Sequence, residues 1–294
     1  MPGFVEPLAP SAEQTCYRHK DRRAGVRCQR CERPICPQCM HTASVGFHCP
    51  ECTKTGKQQV YTRANMQNAP GRRPIVTQVL MAINIAVFLA GIAVDQGSEL
   101  AKRVGNNPLL DGSTELLNRG GLFGPYVADG EWYRLLTSGF LHIGLVHLGL
   151  NMFVLFRMGS ILEPAIGRSK FIACYFTSLL CGSLGVLIVE PNALGAGASG
   201  AIFGLFGVLY LTARSRGIDV WASGIAPTIL LNLAITFGIK GISIGAHIGG
   251  LLGGLVCGYL LFYVGPKQLR DPRQQVAAIG ALGVAAFVVS LLIA

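Results

Sequence analysis

From residue 75 onward the sequence is a succession of long apolar runs separated by short polar breaks, and that alternation allows few folds. Seven runs stand out, at 75–94, 135–158, 171–189, 198–213, 220–238, 244–264 and 276–293. Most approach the roughly 20 residues that an α-helix needs to cross about 30 Å of hydrocarbon. A backbone in lipid must satisfy its own hydrogen bonds, which leaves only helices or a closed barrel. The in-out alternation of a barrel strand is absent, so the expected class is an all-α polytopic membrane protein. Composition agrees: of 294 residues 51% are hydrophobic and 14% charged, against roughly 25% charged in an average soluble domain. A single soluble globule and a disordered chain are both excluded.

The net charge of +10 is unevenly spread. Residues 1–73 hold 12 basic and 5 acidic side chains, residues 74–294 hold 13 and 10. The charge thins where most of the chain lies, so no nucleic-acid partner is expected. It reads as topology instead. With the N-terminal head inside, the inner segments carry 20 Lys and Arg and the outer ones five (Lys102, Arg103, Arg119, Arg134 and Lys240). That bias predicts a cytoplasmic N-terminus and an extracellular C-terminus in the plasma membrane. No apolar core of a signal peptide occurs before residue 75, which also places the head in the cytosol.

Seven of the ten cysteines fall between Cys16 and Cys52. In a reducing cytosol such crowding points to metal rather than disulfides. The spacing is Cys16-x2-His19, Cys28-x2-Cys31, Cys36-x2-Cys39 and Cys49-x2-Cys52, eight ligands for two tetrahedral zinc ions. His41 and His48 compete for places, and Cys49 and Cys52 are preferred because they keep the x2 pairing. Eight closed ligands make a structural site, and metal would supply the folding energy of so short and polar a stretch. The string resembles the B-box and related cross-brace zinc fingers. That resemblance implies that Cys16 and His19 share an ion with Cys36 and Cys39, and Cys28 and Cys31 with Cys49 and Cys52.

Polar groups inside spans are costly and call for a function. The second run contains His142, His147 and Asn151, the last two spaced i, i+4 on one helix face. The fourth opens Gly197-Ala198-Ser199-Gly200 and the sixth carries His247. A helix from Ser199 to an inner boundary at Arg214 rises only about 22 Å, which leaves Ser199 below the outer surface. Asn151 and His247 fall at a similar depth. Gly200-x3-Gly204 and Gly245-x3-Gly249-x3-Gly253 are small-residue faces that, pressed together, would bring Ser199 near His247. Trp132-Tyr133-Arg134, taken alone, reads as an interfacial aromatic belt with an arginine anchor.

Together these residues resemble a rhomboid intramembrane serine protease. The likeness rests on Glu131-Trp132-Tyr133-Arg134, His142-x4-His147-x3-Asn151, Glu163-Pro164-x2-Gly167, Gly197-Ala198-Ser199-Gly200 and Ala246-His247-x2-Gly250. The cysteine head resembles N-terminal zinc modules that some bacterial rhomboids carry. The resemblance implies a six-helix core plus one C-terminal transmembrane helix, preceded by a small zinc-binding domain. The layout expected is a disordered N-terminus at 1–14, a zinc module at 15–55, a linker at 56–74, the catalytic core at 75–265 and a seventh helix at 266–294. It also implies a Ser199–His247 dyad without an acidic member, an oxyanion hole from His147, Asn151 and the Ser199 backbone N–H, and Phe203 packed on His247. His142 is expected to support the outer loop, and Glu163 and Arg168 to form an inner-face network. No cofactor is expected for catalysis. Implied partners are transmembrane protein substrates cut near the outer face and the lipid bilayer; the closed zinc head reads as an interaction module for a cytosolic protein, with a purely stabilising domain as the alternative. A non-catalytic rhomboid-like client binder is the alternative; a transporter would want acidic relays the spans do not supply.

Overall fold

A computed structural model describes residues 14–43, 46–55, 73–105 and 107–294. The expected disordered stretch 1–14 and linker 56–74 lie outside these residues, apart from 14, 73 and 74. The chain divides into two compact units between residues 66 and 67.

In the N-terminal unit β1 (Val26–Arg27) pairs antiparallel with β2 (Pro34–Ile35), and β3 (His41–Thr42) with β4 (Phe47–His48). A 3-10 turn, Pro37–Cys39, and a short helix α1 (Pro50–Thr55) follow β2 and β4. Elements this short bury little apolar surface. Among the described residues the buried centre consists of Cys16, Cys28, Cys36, Cys39 and Cys49 with Ile35 as the sole companion.

Among the described residues the second unit has seven helices of 14 residues or more: α2 (Ile75–Gly97), α3 (Gly144–Ile166), α4 (Arg168–Val189), α5 (Ser199–Ser215), α6 (Ile225–Gly238), α7 (Ile244–Tyr259, extended by a π turn to Val264) and α8 (Pro272–Ile293). Five of them (α2, α3, α4, extended α7 and α8) are long and apolar enough to cross a membrane. The other two, α5 and α6, have 17 and 14 residues. Every residue from Gly200 to Leu209 of α5 is buried, so this short helix is the centre of the bundle.

All seven expected spans contain a helix, but the second is displaced. The run 135–158 is one apolar stretch in sequence, yet α3 starts only at Gly144, whose φ of +76° breaks the path. Residues before it form a short helix, Arg134–Thr137, and a 3-10 turn, Ser138–Phe140. Leu135 and Leu141 are buried there, and Gly139 abuts Leu179. Hydropathy cannot separate apolar surface facing protein from apolar surface facing lipid. At its far end α3 continues through Pro164 and stops at Gly167.

Small residues set the packing. Without a hydrophobic drive between helices in lipid, close approach rests on dispersion, which small residues permit. A side chain at Gly250 would strike the Gly200 carbonyl, and one at Gly254 the Gly204 carbonyl. On the other side of α7, Gly245 lies against the Gly185 carbonyl and Gly249 against that of Cys181. The expected match of Gly200 and Gly204 with Gly245, Gly249 and Gly253 is thus corrected. Gly245, Gly249 and Gly253 face α4, and a second stripe, Gly250 and Gly254, meets α5.

At the foot of α3 the buried Glu163 carboxylate accepts the Val76 and Thr77 N–H groups at 2.9 Å and the Thr77 hydroxyl at 2.8 Å. Pro74 precedes α2 and offers no capping oxygen, so Glu163 satisfies the orphan donors of that helix. Arg168 lies 3.8 Å from the same carboxylate, the pairing expected of these two residues. The seventh helix seats on α4, where the Thr177 hydroxyl donates to the Ile279 carbonyl at 3.0 Å.

Replacing Gly254 by Val forces backbone apart at the α5–α7 contact and should cost at least 1–3 kcal/mol, the order seen for overpacking. Gly280→Ala in α8, where nothing lies within 4 Å, should leave the melting temperature in detergent unchanged.

Candidate active site and metal sites

Ser199 is the first residue of α5, so its backbone N–H is among those a helix leaves without an internal partner. The chain enters through Gly197 at φ +133°, a conformation that favours glycine, and a side chain there would meet the His147 ring. The Gly197 N–H donates to the Ser138 carbonyl at 2.9 Å, tying this entry to the segment ahead of α3. A two-bond bridge between Leu122 and Gly195, each N–H···O 2.8 Å, ties it to the stretch between α2 and α3.

Ser199, His247, His147 and Asn151 line one cavity of about 520 Å³. It lies where α3, α5 and α7 begin and α4 and α6 end, and the segment Leu194–Gly197 forms part of its wall. Among the described residues no hydrogen bond joins Ser199 to His247; catalytic hydrogen bonds are often long until substrate is bound. Phe203, one turn along α5, stacks on His247 with centroids 3.9 Å apart and planes at 16°, as expected. His247 Nδ1 lies 2.7 Å from the hydroxyl of Thr236 on α6, a contact no motif in the sequence announces.

His147 Nδ1 accepts the Ile143 N–H at 3.3 Å, so in the neutral ring the proton sits on Nε2. Asn151 donates to the His147 carbonyl at 2.9 Å, a turn earlier in α3. His142 lies ahead of α3 rather than inside it, buried, with its ring edge-on to His147 at 5.2 Å. At the head of α7, Ser243 caps the Ala246 N–H at 3.0 Å. The Glu190 carboxylate accepts from the Ser243 hydroxyl and from the Gly245 N–H at 3.2 Å, pinning the helix that carries His247.

The stretch between α2 and α3 is braced by Arg134. Of the Trp132-Tyr133-Arg134 cluster only Arg134 is buried, so it braces the loop from within while Trp132 and Tyr133 stay exposed. Its guanidinium donates to Glu131 at 2.7 Å and to the Gly121 carbonyl at 2.8 Å, and lies 4.5 Å over the Tyr126 ring. The Tyr133 hydroxyl and Arg134 together hold the Glu131 carboxyl below its usual range.

In the N-terminal unit Cys16, His19, Cys36 and Cys39 form one cluster and Cys28, Cys31, Cys49 and Cys52 a second, ligand atoms within 4.8 Å of one another in each. This is the cross-brace the resemblance implied. His41 and His48 stand opposite each other in the β3–β4 pair and belong to neither cluster. His19 Nδ1 lies 3.4 Å from the sulfurs of Cys36 and Cys39. Burial opposes the Cys16 and Cys28 thiolates, but neighbouring backbone N–H donors outweigh it and bring both thiols down to about 6. Three thiolates with an imidazole, and four thiolates, are donor sets that suit a borderline-soft ion in tetrahedral coordination.

The family model described as Rhomboid domain matches residues 129–264. The chain carries a rhomboid domain. Its rhomboid domain thus spans the buried Arg134 knot, Ser199 and His247. The chain is 31% identical over 199 residues to Rhomboid protease GluP of Bacillus subtilis (strain 168), covering 66% of this chain and 36% of that relative. It is 34% identical over 188 residues to Rhomboid-like protease 1 of Toxoplasma gondii, covering 60% and 63%. A further relative, 33% identical over 135 residues (45% of this chain and 37% of the relative), is Inactive RHOMBOID-like protein 8 of Arabidopsis thaliana. The chain therefore spans between about a third and two thirds of these relatives' own lengths.

Gly197 of the rhomboid domain should tolerate no side chain. Gly197→Ala carries the left-handed backbone penalty, about 1–2 kcal/mol, and also displaces the His147 ring. Gly217→Ala has a φ of +69° and nothing within 4 Å, so it carries the backbone penalty alone. Thermal unfolding should show the larger loss at Gly197.

Proposed function

We propose that this rhomboid-family chain is an intramembrane serine endopeptidase that cuts transmembrane segments of membrane proteins near their outer ends. The observation that carries the reading is the convergence of Ser199, His247, His147 and Asn151 on one cavity at the end of the bundle. Ser199 Oγ attacks the scissile carbonyl carbon while its proton passes to His247 Nε2, which later protonates the leaving amine. The carbonyl oxygen becomes an oxyanion. The Nε2–H of His147, the free backbone N–H of Ser199 and the Asn151 amide are the donors offered to it. A helical substrate shields its own carbonyls, so the segment cut is one that unwinds at the cavity.

The basic bias puts the N-terminal unit in the cytoplasm and the C-terminus outside, in the plasma membrane, with the cavity in the outer half of the bilayer. The two Cys/His clusters hold structural zinc, which folds the N-terminal unit and takes no part in peptide cleavage. That unit then serves as a docking module for a cytosolic protein. A relative named inactive motivates the second reading, a client-binding rhomboid that does not cleave, and the same assay separates the two.

Purified protein in detergent should cleave a single-span model substrate. Ser199→Ala and His247→Ala should not, at equal melting temperature, and Asn151→Ala should be slower by about 10²–10³-fold, the usual cost of an oxyanion donor. Cleavage persisting in Ser199→Ala would overturn the mechanism, and substrate capture without cleavage by the parent would favour the client binder. Elemental analysis should find about two zinc ions per chain, the capacity of two four-ligand clusters. Cys28→Ser should lower that count by one.

A further inference from the structure

Serine attack needs one tautomer of His247, with Nδ1 protonated and Nε2 bare. Phe203 fixes the plane of the ring but carries no atom that could choose between tautomers. The choice falls to α6. Thr228, Asn232 and Thr236 are spaced by four on one face of that helix. Each donates to the carbonyl four residues earlier: Thr228 to Gly224 at 2.7 Å, Asn232 to Thr228 at 2.8 Å and Thr236 to Asn232 at 2.8 Å. In an apolar setting such back-bonding satisfies polar side chains within their own helix.

Thr236 ends the ladder, buried at 2% exposure, with its hydroxyl oxygen 2.7 Å from His247 Nδ1. A hydroxyl has one hydrogen, and the Asn232 carbonyl can only accept. The 2.8 Å contact therefore takes the Thr236 proton, and what Thr236 turns toward the imidazole is a lone pair. Both short contacts are satisfied together only when Nδ1 carries the ring proton. Among the described residues His247 has no other side-chain hydrogen-bond partner.

We propose that Thr236 is the positioning residue of the site: by accepting the Nδ1–H of His247 it holds the ring in the tautomer whose Nε2 can take the Ser199 proton. The proposal rests on the Ser199–His247 reading above. Thr236 is neutral and already donating to Asn232, so it gives up no proton and takes none. The proton leaving Ser199 Oγ goes to Nε2 and then to the amine nitrogen, while Nδ1–H stays on the ring. Thr236 does for orientation what a carboxylate does in a triad, without a buried charge in the membrane.

The test compares Thr236→Val, which keeps the shape and removes the acceptor, with Thr236→Ser, which keeps the hydroxyl. Full-length variants are assayed on the single-span model substrate, alongside ¹⁵N-histidine spectra of the parent. Thr236→Val should lose about tenfold or more in kcat, the worth of one hydrogen bond at the reacting group. Thr236→Ser should stay near the parent, and the His247 spectrum of the parent should show protonated Nδ1 and bare Nε2. Parent-like cleavage by Thr236→Val, with Ser199→Ala inactive, would overturn this proposal alone. Cleavage by Ser199→Ala would instead overturn the dyad on which it rests. Should Thr236→Val fail to fold, the parent spectrum decides, since a proton on Nε2 would sink the assignment.

Discussion

The site depends on backbone-to-backbone contact along α7. Helices in lipid gain little from burying apolar surface against one another, so they must gain from fitting closely. Here glycines on two sides of one helix let carbonyls of α4 and α5 pack directly on its Cα atoms. His247 is three residues before Gly250 and seven before Gly254, which puts it on the flank that meets α5. The contact that holds α7 against α5 is therefore the contact that sets His247 beside the first turn of α5. Shortness matters too: a helix of 17 residues rises about 25 Å, less than the roughly 30 Å of hydrocarbon, so α5 cannot reach from one face to the other.

Within the site, two identical side chains receive opposite assignments from their neighbours. The ring of His147 is met at Nδ1 by a backbone donor, which sends its proton to Nε2. The ring of His247 is met at Nδ1 by a hydroxyl whose proton is already engaged. In the proposed chemistry one Nε2 gives a hydrogen bond to developing negative charge and the other accepts a proton. Neither role needs an ionised side chain at rest, which matters where an unpaired charge is expensive.

Much of this was legible in the sequence, because lipid imposes a strong filter. Apolar runs marked all seven helices, and the cost of polar groups inside them singled out Ser199, His147, Asn151 and His247. The x2 spacing marked both Cys/His clusters, and the structure has now excluded His41 and His48 from them. What escaped were features set by contact rather than by pattern. Residues 135–143 are as apolar as a span but are buried against protein, and only the backbone at Gly144 shows the break. The glycines of α7 were visible, but which stripe met which helix was a matter of rotation about the helix axis. The partners of Arg134 escaped as well, because an aromatic-basic cluster does not reveal whether its cation points to water or to a carbonyl. Thr236 lies eleven residues before His247 across a turn, a separation no motif encodes.

Helix α6 draws these strands together. Among its residues only Ala226 and Thr236 are buried, so its hold on the bundle is slight compared with that of α5. A helix so exposed must settle its own polar groups, and the ladder from Gly224 to Thr236 does so without help from a neighbour. The last rung cannot donate outward because its proton is spent on the rung below. What remains for the neighbour is an acceptor. The need of a hydroxyl in an apolar setting for a partner, met along α6 within the helix itself, thus leaves a lone pair facing His247.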